Sequence, residues 1–190
     1  TVKLTALPDT GWRVNQWTGT DYDTITDIIN YVVMISNKTV TARFEQPTNL
    51  YVPAAYTNLQ DAIDASKNGD KIIISQGTYQ NAYQNIVITN KKITISSTNP
   101  DDPCVVAATR IRNNKFIFNN IADSVILDGI TIADTTTIGT ATYGVPWSAD
   151  GKNGEPASGG CMDIRNSSPL IRNVRFENCS AIGGNGTSVP

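Results

Sequence analysis

Two stretches of this 190-residue chain superimpose without a gap. Ser124-Val-Ile-Leu-Asp-Gly-Ile-Thr-Ile-Ala-Asp134 falls on Ser168-Pro-Leu-Ile-Arg-Asn-Val-Arg-Phe-Glu-Asn178 at an offset of 44 residues. Apolar residues coincide at Ile126 and Leu170, Leu127 and Ile171, Ile130 and Val174, and Ile132 and Phe176. Upstream, Phe116-Ile-Phe118 falls on Met162-Asp-Ile164 once two residues loop out. Short apolar segments that repeat in this way suit a stack of strands, in which each copy buries its apolar face only against its neighbours. The offset fits one coil of roughly twenty residues with a long insertion at 135–158, or else two coils.

Composition points the same way. The chain holds 23 Thr, 22 Ile and 19 Asn against 6 Leu. β-Branched side chains are stiff at χ1 and pack well on a pleated surface, whereas a helical bundle needs Leu, Ala, Glu and Lys at a 3.6-residue period. Histidine is absent, which excludes a Ser-His-Asp triad, a Cys-His pair, His-ligated zinc and an imidazole base. A net charge of -2 leaves no electrostatic footprint for nucleic acid. No run approaches the ~18 apolar residues of a membrane span.

Gln46-Pro-Thr-Asn49 divides the chain into a small β-rich domain, 1–46, and a larger one, 47–190. In the first, Val2 to Ala6 and Lys38 to Phe44 alternate polar and apolar residues, and Trp12 and Trp17 are expected to dominate the core. The run from Thr1 through Trp17-Thr-Gly19, closing with Lys38-Thr-Val-Thr-Ala-Arg-Phe44, resembles the divergent internalin B-type repeats of bacterial surface proteins. Because the chain opens in mid-strand, the repeat is expected to be incomplete at its N-terminus.

In the second domain, Tyr56 to Ala65 predicts a helix at about 57–67, with Thr57 and Gln60 as a capping box and Leu59, Ala62 and Ile63 as its apolar stripe. Short strands follow at Asp70 to Ile74, Asn85 to Ile88, Lys92 to Ile95, Cys104 to Ala108, Lys115 to Phe118, Ser124 to Leu127, Gly129 to Ala133, Cys161 to Arg165 and Pro169 to Phe176. The segment Asn58-Leu-Gln-Asp-Ala-Ile-Asp-Ala, with Gly69-Asp70 and Gly77-Thr-Tyr79, resembles the capping helix and first coil of right-handed parallel β-helix proteins, the pectate-lyase-like superfamily. Gly160 to Ala181 is similar to a coil of large secreted bacterial β-helix proteins. The resemblance implies an all-β right-handed parallel β-helix solenoid with a short N-terminal capping helix, Asn at its corners, and a C-terminal coil left open.

Enzymes of that superfamily cleave acidic polysaccharides, using Asp-bound Ca²⁺ with a basic residue or a pair of Asp with an Arg. Lys115-Phe-Ile-Phe-Asn119 is reminiscent of an esterase segment, but Lys115 stands where the catalytic Asp would be, so no catalytic residue is assigned. Asp21, Asp23 and Asp27 offer oxygen atoms suited to Ca²⁺ without the Gly and terminal Glu of an EF-hand loop, and a solvated acidic loop accounts for them better. Tyr143 and Trp147, in the irregular stretch 135–158, are the candidates for stacking on sugar or anchoring a partner. Of three cysteines, Cys161 and Cys179 would meet across one solenoid turn and form a disulfide in an extracellular chain, while buried thiols are the alternative.

These observations favour a non-enzymatic structural or adhesive module, extracellular or on the bacterial cell surface, that self-associates head-to-tail into a filament or continues into further chain. The alternatives are a lyase or esterase acting on acidic glycans with Ca²⁺, and a module that binds extracellular polysaccharide. No other cofactor is expected.

Overall fold

Alternation of buried and exposed side chains marks many of the short strands that make up the regular structure of this chain. The computed structural model describes residues 1–80, 85–121, 125–139, 157 and 159–184. They form an almost entirely β structure with two short helices, in two compact units, Thr1–Thr48 and Asn49–Pro190.

The first unit is two antiparallel pairs. β1 (Val2–Thr5) pairs with β3 (Ile29–Val32), and β2 (Arg13–Thr18) pairs with β4 (Thr41–Glu45) across a bulge between Val14 and Gln16. Ala6, Val14 and Trp17 form its buried core, and the Trp17 indole donates to the Asp27 carbonyl at 2.9 Å. Trp12 does not share that core, contrary to the sequence expectation. It is 43% exposed, because it precedes β2 and lies outside the strand's inward alternation.

The second unit begins with β5 (Asn49–Val52) and α1 (Leu59–Ala65). β6 (Lys71–Ile74), β7 (Gly77–Tyr79), β8 (Ile86–Thr89) and β9 (Thr94–Ser97) follow. Next come α2 (Pro103–Ala108), β10 (Thr109–Arg112), β11 (Phe116–Asn119), β12 (Ile126–Asp128), β13 (Thr131–Ala133) and β14 (Thr136–Ile138). β15 (Met162–Arg165), β16 (Leu170–Arg172), β17 (Arg175–Glu177) and β18 (Ser180–Ile182) complete the described strands. They sort into three parallel sheets, ordered β16-β12-β9-β6-β5, β17-β13-β10-β7 and β15-β11-β8, with a small β14-β18 pair beside them. From β6 onward the chain visits the three large sheets in rotation, so each strand lies next to one laid down a full round earlier.

All three sheets face one core. Ile72, Ile95 and Leu127 stack in one column, Ile88 and Phe118 in another, Ile111 and Ile132 in a third, and each is at most 1% exposed. Each such side chain contributes about 1.5–3 kcal/mol by leaving water, so the unit is stabilised by stacking between rounds and not by any one round. The 44-residue self-match is the register itself: Ile126 sits beside Leu170, Leu127 beside Ile171 and Ile132 beside Phe176. It is one round, lengthened by the segment between β14 and β15.

The corners explain the asparagines. Asn90, Asn113, Asn120, Asp134, Asn166, Asn173 and Asn178 all have positive φ, and each directly follows a strand. Asn and Asp tolerate left-handed backbone better than other side chains, so the chain can turn sharply at each strand end. The equivalent of Asn173 one round earlier is Gly129 (φ +67), where a Cβ would overlap Pro100 in the loop before α2.

Three further sequence expectations change. Residues 104–108 are helical and not a strand, because Asp102 caps the Cys104 amide at 2.8 Å and Pro103 pre-sets the first helical turn. α1 is capped by Asn58, whose side chain accepts from the Asp61 amide at 2.8 Å, which frees Gln60 from the expected capping box. The stretch expected to be irregular from Thr135 begins instead with β14, a strand paired in parallel with β18.

Candidate functional site

The two ends of the parallel unit are finished differently, and the difference is built residue by residue. At one end α1 packs on β5 and β8, each the terminal strand of its sheet. Its apolar stripe, Leu59, Ala62 and Ile63, is at most 2% exposed and belongs to the common core. Gln60 reaches the backbone of β8, where its side-chain carbonyl accepts from the Val87 amide at 2.8 Å and its amide donates to the Val87 carbonyl at 3.1 Å. One side chain thus satisfies both backbone groups of Val87 on an edge that would otherwise be open to another strand. Lys91 locks the far end of α1 by donating to the carbonyls of Ile63, Asp64 and Ser66, and burial pushes its amine below the usual lysine range.

The last round, β15 to β18, has no such cover among the described residues. Ile164 and Phe176 share register positions with Phe118 and Ile132, which are fully buried, yet they are 46% and 49% exposed. A disulfide joins Cys161 to Cys179 with Cα atoms 5.2 Å apart and holds the start of this round against its finish. Gly160 lies close to the Ser180 backbone at the same junction.

Arginines line the outside of the rounds. Arg110 spans β13 to reach Glu177 at 2.8 Å, a pairing across two strand spacings, or roughly 10 Å of sheet. The strand it crosses presents Thr131 and Ala133, both fully buried, and Thr131 donates its hydroxyl to Val106 of α2 at 2.8 Å. Arg112 bonds Asp134 at 2.7 Å and Arg172 bonds Asp128 at 2.8 Å. Hydrogen bonds from Asn178, then from Arg112, hold the Asp134 carboxyl below its usual range, and Arg110 does the same for Glu177. Beneath the last round, Asp163 accepts from Arg165 at 2.6 Å and faces the Lys115 ammonium at 3.8 Å. These charges are engaged with one another, and among the described residues no group of three or more His, Cys, Asp or Glu is placed to hold a metal ion.

The acidic candidates of the first unit serve its loop. Asp23 accepts from the Thr20 hydroxyl at 2.7 Å and from the amides of Thr20 and Gly19, and the hydroxyl bond is the main reason its carboxyl titrates low. Asp21 faces Lys38 at 3.7 Å, and Asp27 contributes its backbone carbonyl to Trp17. Tyr143 and Trp147 lie outside the described residues. The composition did not single out Tyr22, Ile28 and Tyr31, which with Asp27 line an open groove on the first unit and are 56%, 50% and 41% exposed. Cys104 is an exposed free thiol. No described helix is long and apolar enough to cross a membrane.

Residues 1–48 match the family model of the divergent InlB B-repeat domain. No curated protein and no solved structure matches the chain.

Proposed function

We propose that this chain is a non-enzymatic, extracellular structural or adhesive module of a bacterial surface protein, in which a right-handed parallel β-helix follows a small repeat domain. The observation that carries this reading is the engagement of the outer face of the rounds: its Arg, Asp and Glu side chains bond across strands to one another. Charges spent on clamping rounds together stiffen a rod, whereas a catalytic face holds them ready for substrate. Two further facts support it. The rotation of strands through three parallel sheets is the connectivity a β-helix requires, and a disulfide across the last round suits an oxidising compartment. The match of residues 1–48 to a bacterial repeat adds the surface context.

Head-to-tail stacking of identical copies would require the incoming copy to displace Gln60 from Val87 on the β8 edge. The test is incubation of the full chain with a panel of uronic-acid polymers, with and without Ca²⁺, followed by assays for new reducing ends, unsaturated products and released ester groups. The expected result is no product under any condition. Product from any polymer would replace the structural reading with the enzymatic one.

A further inference from the structure

We propose that the open groove on the first unit receives a lysine or arginine side chain of a partner polypeptide, its stem on isoleucines and its charged head against two tyrosines and Asp27. This site lies within Thr1–Thr48 and goes beyond the role proposed for the parallel rounds, on which it does not depend. Three observations point to that ligand. First, the groove measures about 560 Å³ and is walled by Tyr22, Ile25, Asp27, Ile28, Ile29 and Tyr31. Tyr22, Ile28 and Tyr31 stand about half in water, and exposed apolar side chains clustered in this way mark a surface on which something else packs. The exposed apolar run continues directly after β3 at Val33, Met34 and Ile35. A polypeptide can use that continuation and a free amine cannot.

Second, the walls are tied down by the first unit itself. The fully buried Asn30 side chain donates to the Tyr22 carbonyl and the Thr20 hydroxyl, both at 3.0 Å. The Asp21 amide donates to the Tyr31 carbonyl at 2.9 Å, and the buried Trp17 indole holds the Asp27 carbonyl. A ligand therefore finds a preorganised backbone and has little of it to order. Third, one charge stands ready at the groove. Asp21 faces Lys38, and Asp23 is bonded by the Thr20 hydroxyl and by two amides. Among the described residues no side chain bonds the Asp27 carboxylate, which is exposed. Lys3 lies opposite Tyr31 in register but does not wall the groove. Aromatic faces attract a cation through their quadrupole, and a carboxylate adds direct attraction. The isoleucines suit the methylene stem of a long basic side chain and offer no partner to sugar hydroxyls.

The test titrates the full, isotope-labelled chain with three short peptides that alternate Ser with Lys, with norleucine or with Glu, followed by NMR. The lysine peptide is expected to shift the amide signals of Tyr22, Ile28 and Tyr31 saturably. It should bind about fivefold more tightly than the norleucine peptide, the worth of one exposed cation–π contact, and the Glu peptide should move nothing. Asp27→Asn keeps the backbone carbonyl that Trp17 uses, and is expected to weaken the lysine peptide about fivefold while leaving the norleucine peptide unchanged. Tyr22→Leu with Tyr31→Leu, checked by circular dichroism, should remove the preference for lysine. If that variant does not fold, Asp27→Asn and the norleucine peptide decide alone. No binding, or norleucine bound as tightly as lysine, would overturn the proposal. So would free butylamine binding as tightly as the lysine peptide, because a small amine would then be the occupant. Shifts spread over other acidic loops and indifferent to Asp27→Asn would reduce the effect to diffuse charge attraction and overturn it too. Self-association abolished by the leucine variant would make the groove a contact between copies and have the same consequence. Polysaccharide cleavage would leave this site untouched, and absence of peptide binding would leave the role of the rounds untouched.

Discussion

The two ends of the described parallel strands are made from the same kinds of residues and differ in what the described residues lay over them. At the α1 end a seven-residue helix inserts Leu59, Ala62 and Ile63 over the core and gives one glutamine to the β8 edge. At the other end the same inward columns continue as Ile164 and Phe176, half in water, with a disulfide holding the round closed on itself. A stacked fold buries each round only through its neighbours, so a terminal round is stable to the degree that something else covers or ties it. One end uses a helix and the other a covalent link.

The sharpest way to break this comparison is to delete the same column at two heights. Phe118→Ala is expected to cost about 3–5 kcal/mol in urea unfolding, since a fully buried aromatic leaves a cavity. Ile164→Ala, in register with it, should cost about 1 kcal/mol because its side chain is already half exposed. Equal losses would mean that the last round is covered.

The tie itself is next in size. The double variant Cys161→Ser with Cys179→Ser should lose about 3 kcal/mol, the chain-entropy value for a loop of this length, and thermal unfolding under non-reducing conditions would measure it. At the opposite end Gln60→Ala should cost about 1 kcal/mol for its lost hydrogen bonds and speed exchange of the Val87 amide.

The smallest effect is that of pH. Asp134 and Glu177 are held below their usual values when folded, so their stabilisation is complete above the unfolded carboxylate range and is lost as pH falls through the lower folded values. A decline in melting temperature below about pH 4 is expected, shallow because both carboxylates are partly open to solvent, and reduced in Arg112→Met.

Much of this architecture was legible in the chain. The self-match at 44 residues reported true register because strands that stack must bury the same kind of side chain at the same height. Asn at the corners was legible too, since few other residues accept positive φ. The α2 segment was not, because Cys104-Val-Val-Ala-Ala108 is as apolar as a strand and only Asp102-Pro103 marks a helix start. The candidate site was less legible still. Nothing in Gln60 announces that its amide will serve an edge 27 residues away, and Arg110 meets Glu177 across 67 residues that only the rotation of sheets brings together. The acidic triplet Asp21, Asp23 and Asp27 looked like a set by spacing, yet a hydrogen-bonded turn at Thr20 and an indole at Trp17 draw its members to separate tasks.

Hydrogen exchange on the isolated chain, read residue by residue, tests the contrast between the two ends most directly. Slow exchange is expected for β8 and the core strands β10 and β12, and markedly faster exchange for β16 and β17. If β16 and β17 were as strongly protected as β8, the last round would already be covered, and the account of a closed end opposite an open one would be wrong.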